Sequence, residues 1–145
     1  MTVDTNNKYV SRLANEWLMY KSIIIAVDYD DTISPWKFSF ESLQDTIECI
    51  KEAQYIGAYI IINTACMPDR YDDIKKYCSS VGIRVDSINT TPDHIIYGKH
   101  GKVYANIFLD DRAGLEESKE ILRTAMYIVK GQNRLKQIQH VGEIA

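Results

Sequence analysis

Apolar residues along this chain fall in two rhythms. Short unbroken runs, Ile23 to Val27, Ala58 to Asn63, Ile83 to Ile88 and Val103 to Leu109, alternate with longer stretches whose apolar positions recur every three or four residues. The runs are too short for ordinary helices and rich in β-branched residues, which suits strands buried on both faces of a parallel sheet. The periodic stretches predict helices. Tyr9 to Tyr20 steps through Tyr9, Leu13 and Trp17, with Val10 and Leu18 alongside, and reads as an amphipathic helix packing on its own domain. Leu43, Ile47 and Ile50 mark a helix from about Glu41 to Tyr55, which Gly57 is placed to end. Pro68 opens a charged helix to about Ser80, closed by Gly82. From about Leu115 the spacing of Leu122, Ala125, Met126 and Val129 predicts a helix ending at Gly131, and Leu135, Ile138 and Val141 a short terminal one. Ile33 to Phe40, holding Ser34-Pro35, Trp36 and Phe38, reads as a turn or short flap, and Asn89 to His100 as a loop.

Strands alternating with helices imply parallel βαβ units and an α/β fold, a three-layer α/β/α sandwich on a Rossmann-like sheet. At 145 residues the chain is expected to be one domain: a helical extension over 1–22, a core over 23–112 and carboxyl-terminal helices over 113–145. Three of the strands end in Asp28, Thr64 and Asp110. Parallel strands deliver such tips to one edge, the edge where open α/β sheets bind ligands.

Composition narrows the class without naming a chemistry. A hydrophobic share of 46% and a charged share of 26% are ordinary for a globular protein. The net charge of -3 disfavours wrapping of duplex nucleic acid, and no sequence-specific DNA binding is expected. Cys49, Cys66 and Cys78 form an odd set with no Cys-x-x-Cys, which argues against a disulfide framework or a zinc site and fits a reducing cytoplasm. Met1 to Asn7 are polar and the longest apolar run is far short of a membrane span, so no signal peptide, anchor or membrane partner is expected. Exposed Tyr and Trp near the amino terminus would permit a homo-oligomer.

The chemistry gathers at Asp28-Tyr29-Asp30-Asp31-Thr32. Carboxylates held together repel each other, so the pair Asp28 and Asp30 needs a cation or a shared proton. Further along come Thr64 at the end of the next long strand, Lys102, and Asp110-Asp111 after the last strand. In this order the parts resemble the four motifs of the haloacid dehalogenase (HAD) superfamily of phosphotransferases, over roughly Ile23 to Arg112. Lys102 to Arg112 resembles the small members found in bacteria and phages. The resemblance implies a Mg²⁺-dependent phosphomonoester hydrolase. Asp28 would be the nucleophile that forms an aspartyl-phosphate, and Asp30 the acid and base. Thr64 and Lys102 would hold the phosphoryl oxygens, while Asp28, Asp110, Asp111 and the Asp30 carbonyl bind the metal. Neither interval between motifs has room for a large cap domain. An uncapped site suits a nucleotide, a nucleic-acid end or a phosphoprotein, and Trp36 and Phe38 could stack on a base or pack.

Several neighbours invite weaker readings. Lys99 competes with Lys102 for the basic role; Cys66, two residues past Thr64, could line the pocket; Arg112 would orient the neighbouring acids. His94 and His100 sit in the loop before Lys102. Two rival functions stand beside the phosphatase: a catalytically silent HAD-like binding protein, and a receiver-type phospho-acceptor domain. The receiver order differs, because there the acidic pair ends the first strand and the acceptor Asp comes later.

Overall fold

The computed structural model describes the chain from Thr5 to Ile144, and its side chains from Thr5 to Gln139. Among these residues the order is α1 (Lys8–Tyr20), β1 (Ile24–Val27), α2 (Phe40–Tyr55), β2 (Tyr59–Ile62), a 3-10 turn (Pro68–Arg70), α3 (Tyr71–Ser80), β3 (Ser87–Ile88), β4 (Ile107–Leu109) and α4 (Leu115–Ile144). The four strands form one all-parallel sheet in the order β3-β2-β1-β4, an α/β arrangement with β1 and β2 in the middle. Both central strands are apolar throughout, as expected of strands covered on two faces: Ile25, Val27, Ile60, Ile61 and Ile62 are all fully buried. No described helix is long and apolar enough to cross a membrane.

One sheet face carries Ile25, Val27, Ile60, Ile62 and Leu109, and buried apolar residues from each of the four helices join this cluster. The opposite face carries Ile24, Ala26 and Ile61, against which Val103, Ile95, Tyr104 and Ala105 pack from the coil between β3 and β4. That coil is held shut by Thr91, whose hydroxyl donates to Gly98 O and accepts from Tyr104 N, both at 3.0 Å. Gly98 has φ +72°, and a Cβ there would stand 2.4 Å from Tyr104 N, so only glycine fits.

Local sequence explains where elements start. Asn7 Oδ1 accepts from Tyr9 N and Val10 N to cap α1, and Ser39 Oγ accepts from Ser42 N to cap α2. Helix α1 buries Val10, Leu13, Ala14 and Trp17, and the Trp17 indole donates to Ile56 O at 3.3 Å, so this helix pads its own core.

Four element boundaries differ from the sequence expectation, the first being the charged helix expected from Pro68, which opens as a 3-10 turn over Pro68–Arg70 before α3 begins at Tyr71. Strand β3 is only Ser87–Ile88 rather than Ile83 to Ile88, because the Asp86 carboxylate takes the Ile60 N–H at 2.8 Å that a longer ladder would use. Strand β4 is Ile107–Leu109 rather than Val103 to Leu109, and again a side chain substitutes: Asn106 Oδ1 accepts from Ile24 N. Helix α4 runs unbroken for 30 residues through Gly131, where no positive φ is needed and a Cβ would meet nothing within 4 Å. A glycine in a helix costs only about 1 kcal/mol against alanine, too little to stop a helix already seeded by packing. Met1 to Asp4, and the side chain of Val141 expected on the terminal helix, lie outside the described residues.

Candidate active site

The site forms where β1, β2 and β4 end. Register pairs Val27 with both Ile62 and Leu109, so the residues that follow these strands emerge at one level. Pairing continues one step further, with Asp28 N donating to Leu109 O at 2.9 Å and Asn63 N to Val27 O at 2.8 Å. A cavity of about 390 Å³ opens there, lined by Asp28, Asp30, Asp31, Trp36, Thr64, Ala65, Cys66, Asp110, Asp111 and Arg112. Five aspartates and one arginine thus line it.

The loop after β1 is built to hold its acids still. Thr32, Ile33 and Ser34 all donate their N–H to Tyr29 O, at 3.3, 3.1 and 3.0 Å, winding the chain back on itself. Closing the turn puts Asp31 at φ +62°, a conformation costing about 1 kcal/mol for a residue with a Cβ. Burying Ile33 completely and Tyr29 to 4% exposure is worth about 2 kcal/mol each and outweighs that strain. Tyr77 locks both, meeting the Tyr29 ring edge-on at 5.9 Å and donating its hydroxyl to Ile33 O at 2.7 Å.

Thr32 joins the two acidic loops. Its buried hydroxyl lies 3.0 Å from Asp28 Oδ2 and 3.1 Å from Asp111 Oδ1, and it accepts from Asp111 N at 3.0 Å. One hydroxyl proton cannot satisfy two carboxylates fully, so a shortage of positive charge remains. Ligand oxygens of Asp28, Asp110 and Asp111 all lie within 4.8 Å of one another, a spacing at which a single hard cation can bridge them. Burial, a hydrogen bond to Asp111 and the charges of Asp110 and Asp111 outweigh the Thr32 hydrogen bond and push the Asp28 carboxyl up to about 7. Asp110 Oδ1 accepts from Arg112 N at 2.9 Å, which fixes the second acidic loop.

Thr64 lies two residues past β2 and is oriented by Asn89, the residue directly after β3. Asn89 Oδ1 accepts from Thr64 N and Asn89 Nδ2 donates to Thr64 O, both at 2.8 Å. Asn89 does so from φ +55°, a region asparagine tolerates better than most residues. Thr64 Oγ1 accepts from Cys66 N at 3.1 Å, and no described residue accepts its proton. Cys66 also lines the cavity, its thiol 3.7 Å from Asp30 Oδ2 and 3.4 Å from Arg70 Nη1.

Asp28, Asp30, Thr64, Asp110 and Asp111 therefore share one cavity, although the Asp30 carboxylate stands outside the close triad. The lysines do not join them. Lys102 Nζ sits 5.2 Å from the centre of the Phe108 ring, lining a different cavity beside Tyr9, Arg12 and Glu16. Lys99 Nζ donates to Thr91 O and Pro92 O, at 3.1 and 2.9 Å. His94 lines a further cavity with Tyr20 and Tyr97, and His100 is exposed. Three contributors went beyond the sequence reading: Thr32 as the pin between acidic loops, Asn89 as the clamp on Thr64, and Arg70 beside Cys66. Thr32 carried a sequence signal as the hydroxyl closing Asp28-x-Asp30-x-Thr32, and Asn89 a weaker one as an asparagine directly after a strand, whereas Arg70 carried none. Comparison with family models, with curated proteins and with solved structures finds no match to this chain.

Proposed function

We propose that the protein is a Mg²⁺-dependent phosphomonoester hydrolase of the HAD type, working through an aspartyl-phosphate on Asp28. The observation that carries the reading is the triad of Asp28, Asp110 and Asp111, with ligand oxygens within 4.8 Å of one another, in the same cavity as Asp30 and Thr64. Three strand ends supplying a nucleophile, a hydroxyl and a cation site to one cavity is the arrangement phosphoryl transfer needs. In this reading the sheet is the middle of an uncapped HAD-like three-layer fold, with the coil between β3 and β4 serving as the third layer.

Asp110, Asp111 and Asp28, with the Asp30 carbonyl, would hold Mg²⁺. When bound, the ion offsets the negative charge that otherwise keeps a carboxylate from a phosphate. An Asp28 oxygen attacks phosphorus while the bond to the leaving oxygen breaks, and the Asp30 carboxylic acid gives that oxygen its proton. Asp30, now a carboxylate, takes a proton from water. The water oxygen displaces Asp28 from phosphorus, releasing inorganic phosphate. Thr64 donates its hydroxyl proton to a phosphoryl oxygen.

Lys102 is the part of the resemblance with the least support, since it packs on Phe108. Arg112, lining the cavity, is the better-supported source of positive charge for the phosphoryl oxygens. A cytoplasmic setting accords with three free cysteines. Burial pushes the Cys49 and Cys78 thiols up to about 11 and about 12.

The test is a panel of nucleotides, phosphorylated oligonucleotides, phosphopeptides and an aryl phosphate, assayed with Mg²⁺ on the wild type and Asp28→Asn. Phosphate release by the wild type alone, abolished by chelation, is expected. Equal rates for the two proteins on every substrate would leave a binding protein as the better description.

A further inference from the structure

We infer that this site takes a phosphomonoester bearing a nucleobase, with the Trp36 indole as the surface on which the base stacks. The inference rests on the phosphatase reading above and names its substrate class. Trp36 lines the same cavity as Asp28, Thr64 and Asp111, yet it is 65% exposed. A large aromatic left in water beside a phosphate site offers a flat apolar surface to the part of a substrate that projects from the phosphate.

The ring is carried on a fixed turn. Asp31 Oδ1 accepts from the backbone N–H of Trp36, Lys37 and Phe38, at 3.1, 2.7 and 3.0 Å. Asp31 is itself held by the wound loop that positions Asp28, with Asp31 N donating to Ser34 O at 2.8 Å. The turn is therefore ordered before any ligand arrives, and little entropy is left to lose on stacking. Lys37 Nζ lies 4.8 Å from the Trp36 ring centre and brings positive charge to the same spot, suited to a nucleotide's anionic backbone.

The next aromatic on the turn is a contrast. Phe38 is 53% exposed but lines a neighbouring cavity with Ser42, Leu43 and Thr46, not the one holding Thr64 and Arg112. Among the described aromatic residues, only Trp36 is both exposed and part of the phosphate cavity's lining. A sugar phosphate without a base, or a phosphoserine side chain, has no aromatic face to stack on the indole. Because every base has a π face, this platform would select bases over other groups while discriminating weakly among bases.

The experiment has a binding arm and a turnover arm. The full chain carries two tryptophans, and Trp17 is 2% exposed, so quenching by a ligand in solution reports Trp36. In Asp30→Asn protein with Mg²⁺, which keeps the Asp28, Asp110 and Asp111 carboxylates and loses the acid and base, thymidine monophosphate should quench this fluorescence saturably and ribose 5-phosphate should not. In turnover, the ratio of kcat/KM for thymidine monophosphate to that for ribose 5-phosphate should fall roughly 5- to 150-fold in Trp36→Ala, by the usual worth of one stacked base. Trp36→Phe should restore much of the ratio, and Phe38→Ala should leave it unchanged. A 5′-phosphorylated thymidine tetramer run beside the mononucleotide distinguishes a nucleic-acid end from a free nucleotide.

Hydrolysis with a ratio near one in the wild type, or a ratio that survives Trp36→Ala, overturns the inference and leaves the phosphatase reading standing. Absence of hydrolysis on every substrate overturns the phosphatase reading instead. The quenching arm then judges the platform alone: saturable quenching by thymidine monophosphate supports it, and none overturns it.

Discussion

Neutralising Asp28 should make the metal-free protein more stable while removing its response to Mg²⁺. The Asp28 carboxyl is raised from 3.8 to about 7, first by burial, then by its hydrogen bond to Asp111 and by the charges of Asp110 and Asp111. At about 1.4 kcal/mol per tenfold in proton affinity that shift is worth about 4 kcal/mol. The group is only half-buried, and screening by solvent brings the figure to about 2 kcal/mol. A carboxyl whose folded pKa lies above its unfolded value binds its proton more firmly when folded. The penalty is therefore absent below about pH 4, grows as pH rises, and is complete above about pH 7. Asp28→Asn keeps the side-chain volume, can still accept from Thr32 and can donate an amide proton to Asp111, so charge is the main thing lost. Urea and thermal denaturation followed by circular dichroism at pH 5 and pH 8 measure the effect. Without Mg²⁺ at pH 8 the variant should be about 2 kcal/mol more stable than wild type, with Tm about 5 °C higher. Saturating Mg²⁺ should raise the wild type by mass action and leave the variant nearly unmoved. Wild-type stability that stays flat between pH 4 and pH 8, or a variant that is the less stable protein at pH 8 without metal, would refute a charge penalty at Asp28.

Other perturbations probe the supports of the site. Burial pushes the Asp31 carboxyl up, but hydrogen bonds from Phe38, Lys37 and Trp36 hold it below the usual carboxylate range. Asp31→Ala should speed hydrogen exchange at those three amides by at least about tenfold, and unchanged protection would remove Asp31 as the anchor of the turn. Arg112→Ala should lower kcat/KM by about 10- to 100-fold against less than about threefold for Lys102→Ala, and the reverse order would return the phosphate-binding role to Lys102. Hydrogen bonds from Arg123 and the buried Lys119 lower the Asp45 carboxyl to about 2. With Asp45 itself largely exposed, Asp45→Asn should cost about 1 kcal/mol at pH 7, a difference in urea unfolding that fades as pH falls from about 4 towards 2. Gly131→Ala should add up to about 1 kcal/mol to α4, read as higher helicity and Tm; a loss would mean the helix needs glycine there.

Local pattern accounts for most of the architecture. The runs at Ile23 to Val27 and Ala58 to Asn63 are apolar on both faces, and both became central strands because no other element buries such a run so completely. Asn7 and Ser39 start helices through groups within three residues of themselves, an interaction visible in any window of sequence. The short strands were not legible. Whether Ile83 to Asp86 or Val103 to Asn106 joins the ladder depends on which group takes the N–H of Ile60 and of Ile24. In both cases a side chain from the adjacent strand's approach does so. A residue's own propensity carries no information on that competition.

The same division runs through the candidate site. Sequence alone determined that Asp28, Thr64 and Asp110 each follow an apolar strand, because alternation of strands and helices in one chain makes the strands parallel and sends their ends to one edge. Only the tertiary structure decided which charged groups come close enough to act together. Thr32 meets Asp111, 79 positions away, because parallel pairing of β1 with β4 aligns their ends. Lys102, eight positions before Asp110 in the sequence, leaves the cavity because its side chain packs on Phe108 beside a coil closed by Thr91 and Gly98. The alternation of strands and helices along the chain is a local, repeating property that a sequence can carry. The spacing of charges at a few ångströms is set by contacts between segments far apart in the chain, and those exist only once the chain is folded.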